Sequence, residues 1–230
     1  MGAFFGKGLD LEEALRRLRA RGFDPAFSVD VGAYQGEWAQ LCRSVFPASK
    51  VLLVEAQEAK KPILEGVVAA GAGAFSLEMS LLGAEDGRSV GFSEMETGSS
   101  VFAESSHFAR NVVEKSTARL DTLLARGGYP KVDFLKLDVQ GYELEVLKGA
   151  PVALGQATAV LVEASLLPIN AGCPLLPEVV TFMTAAGFRL FDFCSQLRRA
   201  DGVLWQTDLL FLRASASILP QAALTRETWG

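Results

Sequence analysis

The chain is short of the residues that mark several large function classes. Its three cysteines, Cys42, Cys173 and Cys194, form no C-x-x-C pair, which argues against a disulfide framework and a cysteine zinc site and suggests a reducing compartment. Basic clusters are missing and the net charge is −5, which argues on electrostatic grounds against nucleic acid as a partner. No apolar run approaches the roughly 20 residues of a membrane span. The first residues have no basic flank before a long apolar core, and Gly6 stands where a myristoylation pattern needs Ser or Thr. Together these absences lead to the expectation of a cytoplasmic chain with no membrane span. What is present is apolar bulk: half of the 230 residues are hydrophobic, enough for a large core in one α/β domain with helices on both faces of a sheet.

The most informative stretch runs from Phe27 to Glu55. A buried strand, Phe27 to Val31, leads into Asp30-Val31-Gly32-Ala33-Tyr34-Gln35-Gly36, whose glycines let backbone approach a ligand. A helix from Glu37 to about Phe46 points its N-terminus at this turn. A second strand, Val51 to Val54, ends on Glu55, nineteen residues after Gly36. An acid at that strand tip is placed to accept both ribose hydroxyls of an adenosine-containing cofactor. The glycines are four apart rather than spaced G-x-G-x-x-G, and Asp30 precedes them. A carboxylate there would repel a pyrophosphate but suits the cationic amino group of S-adenosylmethionine.

The rest of the chain alternates. A first helix starts at Asp10, with Glu13 completing a capping box; Leu11, Leu15 and Leu18 form its stripe, and Gly22 ends it. It is expected to cover one face of the sheet. After Glu55 a helix reaches about Ala70. A third strand is expected over Ala74 to Leu82, followed by the turn Glu85-Asp86-Gly87 and a hairpin strand, Ser89 to Ser93. Glu94 to Thr117 has little periodicity and holds the single histidine, His107; it reads as a loop that could close over a substrate. A short helix follows over Arg119 to Ala125, with Asp121 as its cap.

Chemistry returns at Val132 to Ala150. A strand to Leu137 delivers Asp138 at its carboxyl end, Gly141 turns the chain, and a helix runs to Lys148, stopped by Gly149. Ligands of open parallel sheets bind outside the carboxyl ends of strands, so Asp138 should share a crevice with Asp30 and Glu55. Lys136, inside the strand, needs a carboxylate partner such as Asp121 or Glu163. The strand Ala159 to Val162 ends in another acid, Glu163. A helix from about Leu176 to Ala186, a strand Phe188 to Phe193 and a last strand Asp208 to Leu212 complete the plan. The link between the last two strands is too short for a crossover helix, so they should pair antiparallel.

The set Asp30-Val31-Gly32-Ala33 with Gly36, Val54-Glu55, Arg119-Leu120-Asp121, Leu135-Lys136-Leu137-Asp138 with Gly141, Glu143 to Gly149 and Val162-Glu163 resembles the FkbM family of S-adenosylmethionine-dependent methyltransferases. The resemblance runs from about Phe27 to Leu212. It implies a Rossmann-like class I methyltransferase fold with a mostly parallel seven-stranded sheet and an antiparallel last strand, and O-methylation of a hydroxyl on a sugar or secondary metabolite. The chain departs from the family pattern at Gln140, where an acid is usual, and at Tyr34 or Gln35, where Asn is common. The residues expected at S-adenosyl-L-methionine are Asp30, Gly32, Ala33, Gly36, Glu55, Ala56 and Asp138. The acceptor proton must also be taken, and Asp138, Glu163 and His107 are the expected bases. Three rival readings stand beside this: Mg²⁺ assistance through Asp138, Glu163 and Asn170; a nicotinamide-dependent dehydrogenase, which shares the acid after the second strand but against which the G-x-x-x-G spacing and the final hairpin speak; and a non-catalytic adenosine-cofactor module.

Overall fold

The computed structural model describes residues 10–94, 98–102 and 111–220. Its centre is a sheet built on β1 (Phe27–Val31), β2 (Lys50–Glu55) and β3 (Phe75–Met79) on one side, and β7 (Phe134–Leu137) and β8 (Ala159–Ser165) on the other. All five are parallel, in the order β3-β2-β1-β7-β8. Beyond β8 lies β11 (Leu204–Arg213), antiparallel to it. The far edge of β11 is shared by β9 (Phe188–Phe193) and β10 (Leu197–Arg198). The sheet therefore has seven positions but eight strands, because the edge strand is broken between Phe193 and Leu197. The expected antiparallel closing pair, β9 with β11, is present.

Both faces of this sheet are buried, which is why its strands read as nearly continuous apolar runs. Val29, Val31, Leu135, Leu137, Val160 and Val162 join one core with helices α4 (Leu120–Gly127), α5 (Glu143–Lys148), α6 (Pro151–Gln156) and α7 (Leu176–Ala185). The alternate positions Val51, Leu53, Phe134, Leu161 and Leu210 join a second core with α1 (Leu11–Ala20), α2 (Glu37–Val45) and α3 (Lys61–Ala70). Asp10 caps α1, its Oδ1 accepting from the Glu12 and Glu13 N–H groups at 2.9 and 3.4 Å. Glu13 pairs with Arg17 at 3.3 Å, one turn on, rather than closing a capping box.

Further local expectations are corrected. The single third strand is two pieces: the Ser80 N–H donates to the Glu55 carbonyl at 2.8 Å, and there the chain leaves the main sheet, so that β4 (Leu81–Leu82) pairs with β6 (Asn111–Ala118). β5 (Ser89–Glu94) does form a hairpin-like ladder, but with β6; residues 111–117, expected in a loop, are strand. Lys115 takes an inward place between Val113 and Thr117, which hides the alternation. Asp121 lies inside α4 and caps another helix, accepting from the Val152 and Ala153 N–H groups of α6 at 2.8 and 2.9 Å. It is Asp86 that holds the start of α4, accepting from the Arg119 N–H at 2.7 Å and the Thr122 hydroxyl at 2.7 Å. Finally, β8 runs on to Ser165, so Glu163 sits within a strand and opposite Asp208 of β11.

No described helix is long and apolar enough to cross a membrane.

Candidate active site

The carboxyl ends of β1, β2 and β7 open on a cavity of about 360 Å³. Its floor is the turn after β1. Gly32 has φ +74°, and a Cβ there would lie 1.9 Å from the Asp138 carbonyl oxygen; only glycine lets β1 and the end of β7 approach this closely. Gly36, φ +85°, is the N-cap of α2. Between them Tyr34 takes a left-handed φ of 49°, held by its N–H donating to Glu55 Oε2 at 2.8 Å. Glu55 Oε1 accepts from the Ala56 and Gln57 N–H groups at 2.9 and 2.8 Å. Glu55 thus ties the first turn to the second, using three of its roughly four acceptor positions, and leaves Oε2 one position for a ligand. Gly32, Ala33, Tyr34, Glu55 and Ala56 line the cavity. Tyr34 is backed by Lys60, whose ammonium stands 4.3 Å from the ring centre.

Asp30 lies elsewhere than the sequence suggests. It is fully buried and absent from the cavity wall, so the fold does not present it to a ligand's amino group as the sequence suggests. Parallel pairing of β1 with β7 sets Asp30 opposite Lys136, and the Lys136 Nζ lies 2.9 Å from Asp30 Oδ1. The partner expected for Lys136, Asp121 or Glu163, is therefore replaced by a residue whose neighbourhood depends on strand order. Lys136 also donates to the Gly32 carbonyl at 2.9 Å and lies 3.8 Å from Asp138 Oδ2. Burial pushes Asp30 up to about 6, against the opposing pull of Lys136. Burial alone would lower the Lys136 ammonium, but Asp30, Asp138 and Asp208 hold it above its ordinary value. Lys136 is charged, and it fixes the shape of the turn.

Asp138 is 38% exposed at its side chain and lines the cavity. Next to it Gln140, in a left-handed conformation (φ 53°), donates from Nε2 to Asp138 Oδ1 at 3.0 Å and to Glu163 Oε2 at 2.8 Å. Gln206 Nε2 donates to the same Glu163 oxygen at 3.0 Å and to Gln140 Oε1 at 3.4 Å. Burial, then the neighbouring Asp138, Glu143 and Asp208 carboxylates, raise Glu163 well above the usual carboxylate range. Glu163 stands behind Gln140 and does not line the cavity. Glu143, also buried, accepts from the Val139 and Gly141 N–H groups at 2.9 and 3.1 Å and shapes the turn after Asp138. His107 lies outside the described residues. Among those residues no three His, Cys, Asp or Glu side chains are gathered to hold a metal, and the Asn170 amide donates to the Gln140 carbonyl at 2.9 Å.

The domain model "Methyltransferase FkbM domain" matches residues 30–190, 161 of the 230 residues. The chain belongs to the FkbM methyltransferase family. Solved structures add the fold. The chain is similar to the precorrin-6y C5,15-methyltransferase of Geobacter metallireducens (TM-score 0.50, 10% identity, 88% of this chain and 87% of that one). It is also similar to a proposed RNA methyltransferase of Pyrococcus horikoshii (0.50, 11%, 94% and 92%). A third likeness is to an O-methyltransferase family protein of Burkholderia thailandensis (0.51, 12%, 90% and 56%). Among curated protein sequences, none matches. This FkbM-family methyltransferase thus has the Rossmann-like fold of S-adenosylmethionine-dependent enzymes. Its cavity suits that cofactor by chemistry: a carboxylate with an open acceptor position, a glycine turn with exposed backbone, and apolar walls from Leu81, Leu82, Phe92 and Tyr142. Reasoning from sequence missed Gln206 and Asp208 as neighbours of the site, because both reach it only through the antiparallel insertion of β11 beside β8. Leu11 of α1 also lines the cavity; its place in an amphipathic stripe gave no sign of that.

Proposed function

We propose that this methyltransferase acts on a hydroxyl of a small-molecule acceptor, a sugar or a secondary metabolite, with S-adenosylmethionine as donor. Glu37, Glu55, Asp138 and Asp208 all line the cavity, and the observation that carries the reading is the different standing of two of them, Glu55 and Asp138, at the ends of β2 and β7. Glu55 is saturated with backbone donors but for one position, and Asp138 is open to the cavity beside a charged lysine. Glu55 would hold a ribose hydroxyl, and Gly32, Ala33, Tyr34 and Ala56 would form the surrounding wall. Gly36 contributes by ending the turn, and Asp30 by anchoring Lys136. When bound, the cofactor supplies an electrophilic methyl group on a sulfonium.

The protein's own work is alignment, exclusion of water and removal of one proton. The acceptor O–H bond breaks toward Asp138, whose carboxylate faces the cavity 3.8 Å from the Lys136 ammonium. Glu163, raised by burial and by surrounding acids, stands behind Gln140 and off the cavity wall, and is poorly placed for the same task. The net charge of −5 and the acids at the cavity favour a small neutral or cationic acceptor over RNA.

Isothermal titration with S-adenosylmethionine, with NAD as comparison and Glu55→Ala as control, tests the cofactor. Binding lost in the variant supports the reading, and no binding by the native protein refutes it. A mass-spectrometric screen of hydroxylated acceptors then separates an enzyme from a binding module, and Asp138→Ala should abolish turnover while retaining the fold.

A further inference from the structure

Two carboxylates that share an oxygen-lined crevice usually need something positive between them: a proton, a metal ion or a cationic side chain. Between Asp138 and Glu163 stands the carboxamide nitrogen of Gln140, 3.0 Å from one and 2.8 Å from the other. The arrangement is built. The Gln140 carbonyl accepts from the Ser100 hydroxyl at 2.8 Å and from the Asn170 amide at 2.9 Å, which pins the backbone in its left-handed conformation. Gln206 then orients the carboxamide: its amide nitrogen points to Gln140 Oε1 and to Glu163 Oε2, leaving the Gln140 NH₂ group to face both acids. An acid at this position, as in the family pattern, could not donate to either carboxylate without first taking up a proton.

We propose that Gln140, oriented by Gln206, is a positioning residue that locks Asp138 and Glu163 into one hydrogen-bonded pair and turns the Asp138 carboxylate toward the acceptor. The inference rests on the methyl-transfer reading above. In the reaction the acceptor hydroxyl gives its proton to Asp138, the oxygen lone pair forms the new O–CH₃ bond, and the breaking S–CH₃ bond returns its electrons to sulfur. Gln140 exchanges no proton. It sets where the receiving oxygen points and how strongly the pair of acids holds a proton. The charged groups facing that pair are Lys136 on β7, Asp30 on β1, Asp208 on β11 and Glu143 on α5.

The test uses carboxyl-carbon NMR titration of the full chain labelled at Asp and Glu, comparing the native protein with Gln140→Leu and Gln206→Leu. Asp138→Asn and Glu163→Gln assign the two resonances. Removing the shared donor should raise the proton affinity of the pair at least tenfold in Gln140→Leu, which is one pH unit or more. A smaller shift of the same sign is expected in Gln206→Leu, and a rise of the same sign in Gln140→Glu, from the added negative charge. Once an acceptor is known, Gln140→Leu should lower kcat by tenfold or more with little change in the KM for S-adenosylmethionine, and should move the acidic limb of the rate profile upward. Unchanged titration of both acids in a folded Gln140→Leu protein overturns the proposal. Thermal melting and cofactor titration on the same samples show whether it is folded. Absent cofactor binding in the native protein would instead overturn the methyl-transfer reading, leaving the carboxyl titration as an independent result.

Discussion

Replacing Lys136 by methionine removes the cation paired with Asp30 in the floor of the site. Asp30 is 0% exposed, so water cannot take the place of the lost ammonium. One-sided removal of a buried ion pair costs about 3–5 kcal/mol. For a chain of this size each kcal/mol moves Tm by about 2–4 °C, so Lys136→Met should melt about 6–20 °C below the native protein. The deficit has a pH signature. Asp30 stands at about 6 with Lys136 present, above its ordinary 3.8, and loses its main opposing influence in the variant, so it rises further. A carboxyl raised in the folded state keeps a proton that the unfolded chain has released, so stability falls as pH climbs from about 4 through the folded value. The variant should therefore lag most at pH 8 and least at pH 5, where Asp30 is largely neutral. Adding Asp30→Val should restore most of the loss, because an apolar pair of suitable volume replaces a buried ion pair at little cost. Differential scanning calorimetry from pH 5 to 8 measures all three. A single-variant drop below about 2 °C, or a double variant no more stable than the single, would refute the argument that the pair is mutually dependent.

Gly32→Ala should cost more than about 3 kcal/mol or abolish cofactor binding, since its Cβ would meet the Asp138 carbonyl at 1.9 Å and the backbone of β7 would have to yield; calorimetry and thermal melting read both effects. Asp121→Ala should lower stability by about 1 kcal/mol through loss of the α6 cap and leave S-adenosylmethionine affinity unchanged in titration. Glu143, raised by burial to about 7 from an ordinary 4.5, should make the protein less stable as pH rises across that interval, by the same sign as Asp30. Glu143→Gln should flatten this part of the Tm profile between pH 5 and 8.

The elements whose residues carry their own signal were legible: the apolar runs of β1, β2 and β7, the glycines of both turns, the Asp10 cap of α1 and the stop at Gly149. The acids at strand tips, Glu55 and Asp138, followed from the same local grammar and do line the cavity. What the sequence hid depends on which strand lies beside which. Asp30 and Lys136 are more than a hundred positions apart and meet only because β7 returns next to β1. Asp121 has every local mark of a cap for its own helix, but its carboxylate reaches the N-terminus of α6 across a helix–helix contact. Residues 111–118 looked featureless because a lysine occupies an inward place, its ammonium donating to the Ala56 carbonyl at 2.6 Å. Gln140 was visible only as a departure from a pattern; its role needs the positions of Glu163 and Gln206, brought together by the reversed strand.

The family match begins at residue 30, yet the physical unit begins earlier. Ala14, Leu15 and Leu18 of α1 are fully buried against Trp38 and Cys42 of α2 and their neighbours, and Leu11 forms part of the cavity wall. A fragment trimmed to the matched boundary would lose β1's first three residues as well as α1, exposing one whole flank of the core. The boundary that physics draws here encloses α1, because the sheet's second core is unfinished without it.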